Sequence, residues 1–588
     1  MTQNFASLLG GQQEILRGVA RISATRKCEA LLAGLQFTEV DHRKNLIPEV
    51  AHNTFGWIFE TDTSTFAKWL ESDERFFCIF GKPGSGKSTL MKFLSDDSRT
   101  RIALERWQPT STLITADHYF WYAGSVLQKS HAGLLRSLLY NIISIDPIVA
   151  CCLCQQRWQG DECDLRRPWN SQELVESLRN IRHLGNTKVF LLVDGLDEFY
   201  PHDNHRLLIE DLKLLLDIPN LKLCVSSRPW PVFEKAFTDC PKILLENHNS
   251  RDIRTFLTDE INHAADDASW SGLSKIDEHA MEPLLDDIVK LADGVFLWVH
   301  LVVSSLTERL RAGADLRQLR RCLREFPKDL EQYFDNMIYQ RISRTWREGA
   351  DTAKALKLAV LLTPFDQEPR KQYLEPVLRH RSFVHYWLLS QSDGLNDENF
   401  AFARSVTIVT REGAKSMLNE AKAYINHCAR DLLHVVGDLQ APDSDWLNIT
   451  VDFAHRTVSD FITTAKMQRP IDERVPSHFL RPDMCSHLAL VQTKFVSLHL
   501  TKSASTYQRK MLSHLNRLAA FVNSVFIVGQ RPISEAICEE IDKVVIPAWY
   551  PEPIHEDTDG QDSMSIAPRR TSWSRKKLDR TSRSRNKP

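Results

Sequence analysis

What this chain lacks narrows the field before any motif is read. It lacks a charge imbalance: 74 Lys and Arg against 76 Asp and Glu leave a formal net charge of -2. Charge as a whole therefore gives no argument for a nucleic-acid or membrane partner. It lacks a long apolar run, because the longest nearly uncharged stretch, residues 294–306, contains His300 and two serines and is too short to cross a bilayer. Between Met1 and Gly10 there is no basic segment leading into an apolar one, so no secretory signal is read and an intracellular, cytoplasmic setting is expected. Of 12 cysteines only Cys151, Cys152, Cys154 and Cys163 cluster. No second ligand pair stands at the spacing zinc requires, and reduced, mostly buried thiols are expected instead. Asn448-Ile449-Thr450 has the form of a glycosylation acceptor, which carries no meaning in an intracellular chain. No tandem period of the solenoid or propeller kind is present. No Asn/Thr-Lys-x-Asp box for reading guanine is present either, which leaves adenine as the expected base.

What is there is an ordinary globular composition, with 43% apolar and 26% charged residues over 588 positions, enough for a large core and about three or four domains. Residues 1–50 read as helical, with Ile15, Leu16, Val19, Leu31, Leu32 and Leu35 at helical spacing. Residues 51–245 alternate apolar strand-like runs with helical patterns, which predicts a mostly parallel α/β sheet. The expected strands are Phe76–Phe80, Thr112–Thr115, Val189–Val193, Leu221–Val225 and Ile243–Leu245. From Ser250, an expected N-cap ahead of Ile253, Phe256, Leu257 and Ile261, the pattern turns helical. We divide this part into 246–335, 336–470 and 471–545. Residues 546–588 form an acidic and then basic tail expected to be disordered, with nuclear import as one reading of its Arg and Lys cluster.

The most informative stretch is Gly81-Lys82-Pro83-Gly84-Ser85-Gly86-Lys87-Ser88, with Thr89 at its exit, between a buried strand and a helix. That is P-loop spacing. The glycines let backbone N–H groups turn around a triphosphate, Lys87 can reach the β- and γ-phosphates, and Ser88 is placed to bind Mg²⁺. About a hundred residues on, Val189–Val193 runs into Asp194-Gly195-Leu196-Asp197-Glu198. An acid at the end of a strand beside a P-loop can hold the Mg²⁺ shell, and Asp194 is that residue. A second carboxylate can orient or deprotonate the attacking water; Asp197 and Glu198 are both candidates. Leu221–Val225 likewise ends in Ser226-Ser227-Arg228-Pro229, where Arg228 can reach a γ-phosphate with its guanidinium fork.

These residues resemble the NACHT class of signal-transducing ATPases. More specifically they resemble the fungal NACHT proteins related to vegetative-incompatibility factors, whose ATPase region is also described as nephrocystin-3-like. The resemblance is carried further by Thr54-Phe55-Gly56-Trp57-Ile58-Phe59, Tyr119-Phe120-Trp121, Gln128-Lys129-Ser130, the run from Gly133 to Tyr140, Gly294-Val295-Phe296-Leu297-Trp298-Val299 and His455-Arg456-Thr457-Val458-Ser459-Asp460-Phe461. It implies a P-loop ATPase domain followed by a small helical domain and a winged-helix-like region, with ADP holding a closed state and ATP an open, homo-oligomeric one. It implies Lys87 and Ser88 on phosphate and Mg²⁺, Asp194 on the metal, Arg228 as sensor, and His455 on the ADP phosphates. A core histidine between Phe453 and Phe461 is the other reading of His455. This chain departs from many relatives in having Gly294-Val295-Phe296 where they carry a Gly-x-Pro contact to adenine. Within these 588 residues no sizeable death-effector or pore-forming domain precedes the ATPase and no repeat array follows it. The signalling ends are expected to be atypical, to be supplied by partner or effector proteins, or to be lost in a reduced gene product.

The function expected is a slow ATPase acting as a switch, in fungal self/non-self recognition or a signalling system of that kind. The alternatives are an interaction scaffold with a vestigial ATPase, and a nucleic-acid remodelling ATPase, against which the absence of helicase-type motifs speaks.

Overall fold

A computed structural model describes residues 23–497 with interruptions, the longest at 267–277, 363–381 and 440–448. The expectations placed on Ile15, Leu16, Val19, Cys163 and residues 498–588 lie outside the described residues. Two compact units emerge: the first holds residues up to Ile338 together with His455–Phe461, the second Tyr339–Phe365, Pro369–Ala454 and the chain from Ile462.

The first unit is built on β1 (Phe76–Phe80), β2 (Thr112–Tyr119), β3 (Thr187–Asp194), β4 (Leu221–Ser227) and β5 (Lys242–Leu244). They form one sheet in the order β2-β3-β4-β1-β5, every pairing parallel. Both faces are covered, which is why the central strands read as unbroken apolar runs. Successive side chains serve opposite cores. Phe76, Cys78 and Phe80 join Val189, Leu191 and Val193 on one face, while Phe77 and Ile79 join Phe190 and Leu192 on the other.

The helix Lys87–Asp96 packs Leu90, Met91 and Leu94 on the second face; the helix His131–Ile145 packs Leu134, Leu138, Leu139 and Ile142 on the first. Residues 23–35 are helical and place Leu31 and Leu35 in that first core. Beyond the sheet come the helices Ser250–Asp266, Glu278–Ala292, Phe296–Arg311 and Leu316–Glu325. The first of these begins at its expected cap residue, one position earlier than expected. The Ile253 N–H already donates to the Asn249 carbonyl at 2.8 Å, so Ser250 is the first helical residue and Asn249 precedes it.

The second unit holds the helices Trp346–Leu361, Phe383–Ser390, Arg411–Cys428 and Ala465–Asp472. Leu433–Val436 pairs antiparallel with Thr450–Phe453, and Thr407–Val409 pairs parallel with Phe495–Ser497. Among the described residues no helix is long and apolar enough to cross a membrane.

The expected strands differ from those formed mainly at their ends. β2 runs on to Tyr119, and β5 ends at Leu244, with Leu245 starting a short 3-10 turn. In a parallel sheet all carboxyl ends lie on one edge, and the neighbours β3, β4 and β1 bring Asp194, Arg228 and Gly81 to that edge together.

Candidate functional site

β1 opens directly into Gly81–Ser88. Gly84 and Gly86 take φ of 74° and 96°, a left-handed backbone that glycine adopts without steric cost. Gly86 precedes the helix Lys87–Asp96 with no side-chain cap. The N–H groups of the first helical turn therefore have no intrahelical acceptor and face outward as anion donors. Lys87 Nζ folds back onto the loop, donating to the carbonyls of Gly81 at 2.8 Å and Lys82 at 2.9 Å. Burial holds its pKa below the ordinary lysine value, against the pull of Asp197 and Asp194.

β3 ends at Asp194, which is 2% exposed. Its Oδ1 accepts from Ser226 Oγ at 2.5 Å, and that hydroxyl in turn accepts from the Gly195 N–H at 2.9 Å. Burial raises the Asp194 pKa, while hydrogen bonds from Ser226 and from Ser88 at the start of the P-loop helix lower it.

The first unit has the fold of a P-loop NTPase domain. The oxygens of Ser88 and Asp194 are hard donors of the kind Mg²⁺ takes, and these two residues would hold it. A nucleotide bound here would have its phosphates on the loop amides and Lys87. The metal would supply charge neutralisation between phosphates.

The other acids at this strand edge divide sharply. Asp197, 2% exposed, accepts from the Arg228 N–H at 3.0 Å and pairs with Arg228 Nε at 3.1 Å and Arg456 Nη1 at 2.8 Å. Burial raises its pKa, but Arg456, Lys87 and Arg228 outweigh that and hold it below the usual carboxylate range. Glu198 accepts from the Tyr122 N–H at 2.8 Å, and its other oxygen lies 3.9 Å from Arg456. Burial pushes its pKa up. Of the two acids left open by the sequence, Glu198 is the one whose surroundings favour its taking a proton.

His455 belongs to this first unit, not to the second with its sequence neighbours. Its Nδ1 accepts the Thr457 N–H at 3.1 Å, so the neutral ring carries its proton on Nε2. Burial, with Arg228, Arg43, Lys87 and Arg456 around it, lowers its pKa to about 3. It is therefore an N–H donor among cations, not the apolar core residue that Phe453 and Phe461 suggested. Next to it, Arg456 reaches Asp197 and lies with its guanidinium carbon 5.0 Å from the Tyr122 ring centre. One turn on, Asp460 accepts from Arg228 Nη2 at 3.2 Å.

The start of the helix Phe296–Arg311 closes the loop from another side. Leu297 N–H donates to the Gly84 carbonyl at 3.0 Å, and the fully buried Asn249 amide donates to the carbonyls of Ser85 and Gly294, both at 2.8 Å. Pro83, Ser85 and Thr89 shape the loop and the first helical turn. Lys82 turns away and its ammonium meets the Asp293 carboxylate at 2.5 Å, so its backbone, not its side chain, belongs to the cradle.

Sequence reasoning missed Arg43, Arg456, Asp460 and Asn249. Arg456 and Asp460 carried a signal, opposite charges four apart beside His455. Arg43 stands in the charged run Asp41-His42-Arg43-Lys44, which carries no motif. No metal-holding group of three His, Cys, Asp or Glu occurs among the described residues, Cys151, Cys152 and Cys154 included.

Residues 53–228 match the family described as nephrocystin 3, N-terminal, and residues 353–505 match a domain of unknown function, DUF7791. No curated protein matches. Among solved structures, a Walker-type ATPase of Pyrococcus abyssi is 13% identical with a TM-score of 0.29, covering 72% of this chain and 99% of that one. Cdc6p from Pyrobaculum aerophilum is 10% identical with a TM-score of 0.27, covering 74% and 97%. Drosophila ORC bound to DNA is 16% identical with a TM-score of 0.26, covering 67% and 91%. TM-scores this low carry no argument about what this chain does.

Proposed function

We propose that this chain is a nucleotide-operated switch that binds ADP or ATP with Mg²⁺ and resets by slow hydrolysis. The observation that carries it is the docking of His455–Phe461 on the acids and arginine of the P-loop unit. Arg456 takes Asp197, and Asp460 takes Arg228. Arg228 is the side chain that a γ-phosphate needs. While these pairs hold, Arg228 is not free to serve phosphate, and Asp197 is neutralised by two guanidinium groups. A triphosphate competes with Asp460 for Arg228, and so shifts the balance toward release of the segment. Moving such an equilibrium from mostly closed to mostly open takes about 5.5 kcal/mol of differential binding.

In this reading the loop amides and Lys87 bind phosphate, Ser88 and Asp194 hold Mg²⁺, Glu198 accepts the proton of the attacking water, and Arg228 and His455 sense the terminal phosphate. The residues flanking His455–Phe461 in sequence belong to the second unit, so nucleotide state is passed along the chain to it. Supported by the nephrocystin-3 match and the fungal NACHT-like segments, we assign the switch to self/non-self recognition or related signalling, with an ATP-bound homo-oligomer as output and effector proteins downstream. The test is the mass and nucleotide content of the purified chain with ADP and then with ATP. Growth from monomer to oligomer on ATP supports the switch; steady ATP turnover without any change of state contradicts it.

A further inference from the structure

Arg43 reaches the site with an aromatic partner but an unpaired Nε. Its Nε is buried and makes no hydrogen bond, an arrangement that costs stability unless something fills the gap. Nothing about its placement is loose. The neighbouring Lys44 clamps the helix His42–Leu46 to the sheet and to the end of the P-loop helix, meeting Asp117 at 2.7 Å, Asp96 at 2.9 Å and Ser95 Oγ at 2.8 Å. The Arg43 guanidinium carbon lies 5.7 Å from the Trp121 ring centre, with the His42 ring 5.5 Å from the same indole.

Trp121 in turn sits between two residues that grip the catalytic edge. The Phe120 N–H donates to the Asp194 carbonyl at 3.0 Å, and the Tyr122 N–H donates to Glu198 at 2.8 Å. Trp121 therefore holds Arg43, and Tyr122 holds Arg456, on either side of the strand end that carries both acids. The charge of Arg43 is felt at Asp194, Glu198 and His455, and these are the metal, water and sensor positions rather than the loop carbonyls that hold Lys87.

We propose that Arg43, delivered by the segment ahead of the P-loop, is a specificity residue that reads the terminal phosphate of a nucleoside triphosphate. The proposal rests on the nucleotide reading above and extends it: discrimination of ATP from ADP is shared by a residue outside the strand-end motifs. An anion arriving on the metal side satisfies the orphaned Nε, and the planar fork held against an indole presents its donors in fixed geometry. A diphosphate, lacking that group, leaves Arg43 as it stands.

The test is equilibrium titration of the full chain with fluorescent ADP and with a non-hydrolysable fluorescent ATP analogue, both with Mg²⁺, for wild type, Arg43→Ala and Arg43→Lys. The expected result is a loss of about ten- to a hundredfold in affinity for the triphosphate in Arg43→Ala. ADP affinity should change by less than about threefold, and Arg43→Lys should recover part of the loss because it keeps charge without the fork. Equal losses for both nucleotides, or none for either, overturn the proposal. A thermal melt of each variant identifies any equal loss that comes from misfolding, and Arg43→Lys then decides: unchanged discrimination between the two nucleotides overturns the proposal. If the wild type binds neither nucleotide, the nucleotide reading itself falls, an outcome distinct from failure of Arg43 alone.

Discussion

Arg456 Nη1 lies 2.8 Å from Asp197 Oδ2 although 259 positions separate the two residues in sequence. A buried ion pair at that separation is not a product of local folding, and it ties the segment carrying His455 to the acid box at the end of β3. Removing one partner of a buried pair costs about 3–5 kcal/mol, trimmed here because Arg228 stays on Asp197. Arg456→Ala should therefore loosen the docked segment by about 3 kcal/mol, or about a hundredfold. Faster release of fluorescent ADP and new protease cleavage near residue 455 would show it. Arg456→Lys should rescue little, because it loses the fork and weakens the stacking on Tyr122.

Acid should open the nucleotide-free protein. His455 has a pKa near 3 when docked, against 6.5 for an ordinary histidine. The undocked state thus binds more protons, and stability of the docked state is present above 6.5 and lost as pH falls below it. Arg228, Arg43, Lys87 and Arg456 are the cations that make the protonated ring unwelcome. Going from pH 7.5 to 5.5 should favour undocking about tenfold. His455→Gln should flatten that dependence; an unchanged slope in the variant would assign the effect elsewhere.

Hydrolysis should depend on Glu198 and not on the protonation of Asp197. Glu198→Gln should still bind ATP while turnover falls by about a hundredfold or more. In the wild type, turnover should decline with acid at a pH above the ordinary glutamate value of 4.5, since burial raises this carboxyl. Single-turnover rates across pH separate this from Asp197, whose pKa is displaced in the opposite direction.

Gly294 should tolerate no side chain. Its φ is 78°, and a Cβ there would land on the Glu246 backbone. Gly294→Ala should cost about 1–3 kcal/mol from backbone strain, with more from the clash. It should also disturb the P-loop, because Asn249 bonds both Gly294 and Ser85. A lowered melting temperature together with weaker nucleotide binding is the expected pair of readouts.

Much of this arrangement was legible in the chain because parallel strands buried on both faces leave unbroken apolar runs, as in Phe76–Phe80 and Val189–Val193. Where a strand buries polar groups the signal fades. The second half of β2 carries Asp117, which pairs with Lys44, and His118, whose Nδ1 is 2.9 Å from Ser137 Oγ. Both read as a break in the apolar pattern although both lie in the sheet. The P-loop, Asp194, Asp197, Glu198 and Arg228 were found because they stand at strand ends in short motifs. Arg43, Asn249 and Arg456 were not, since their roles come from contacts made 45 to 259 positions away or across an aromatic ring. The split between Asp197 and Glu198 was equally hidden, because it depends on which acid the two arginines meet.

The central claim is that the P-loop and the strand-end acids form one polyphosphate site. Chromatography of nucleotide released from purified wild-type protein and from Lys87→Ala tests it most directly. The account predicts adenine nucleotide, mainly ADP, in the wild type and none in the variant. A wild-type protein that emerges empty and binds neither ADP nor ATP in the presence of Mg²⁺ would contradict it.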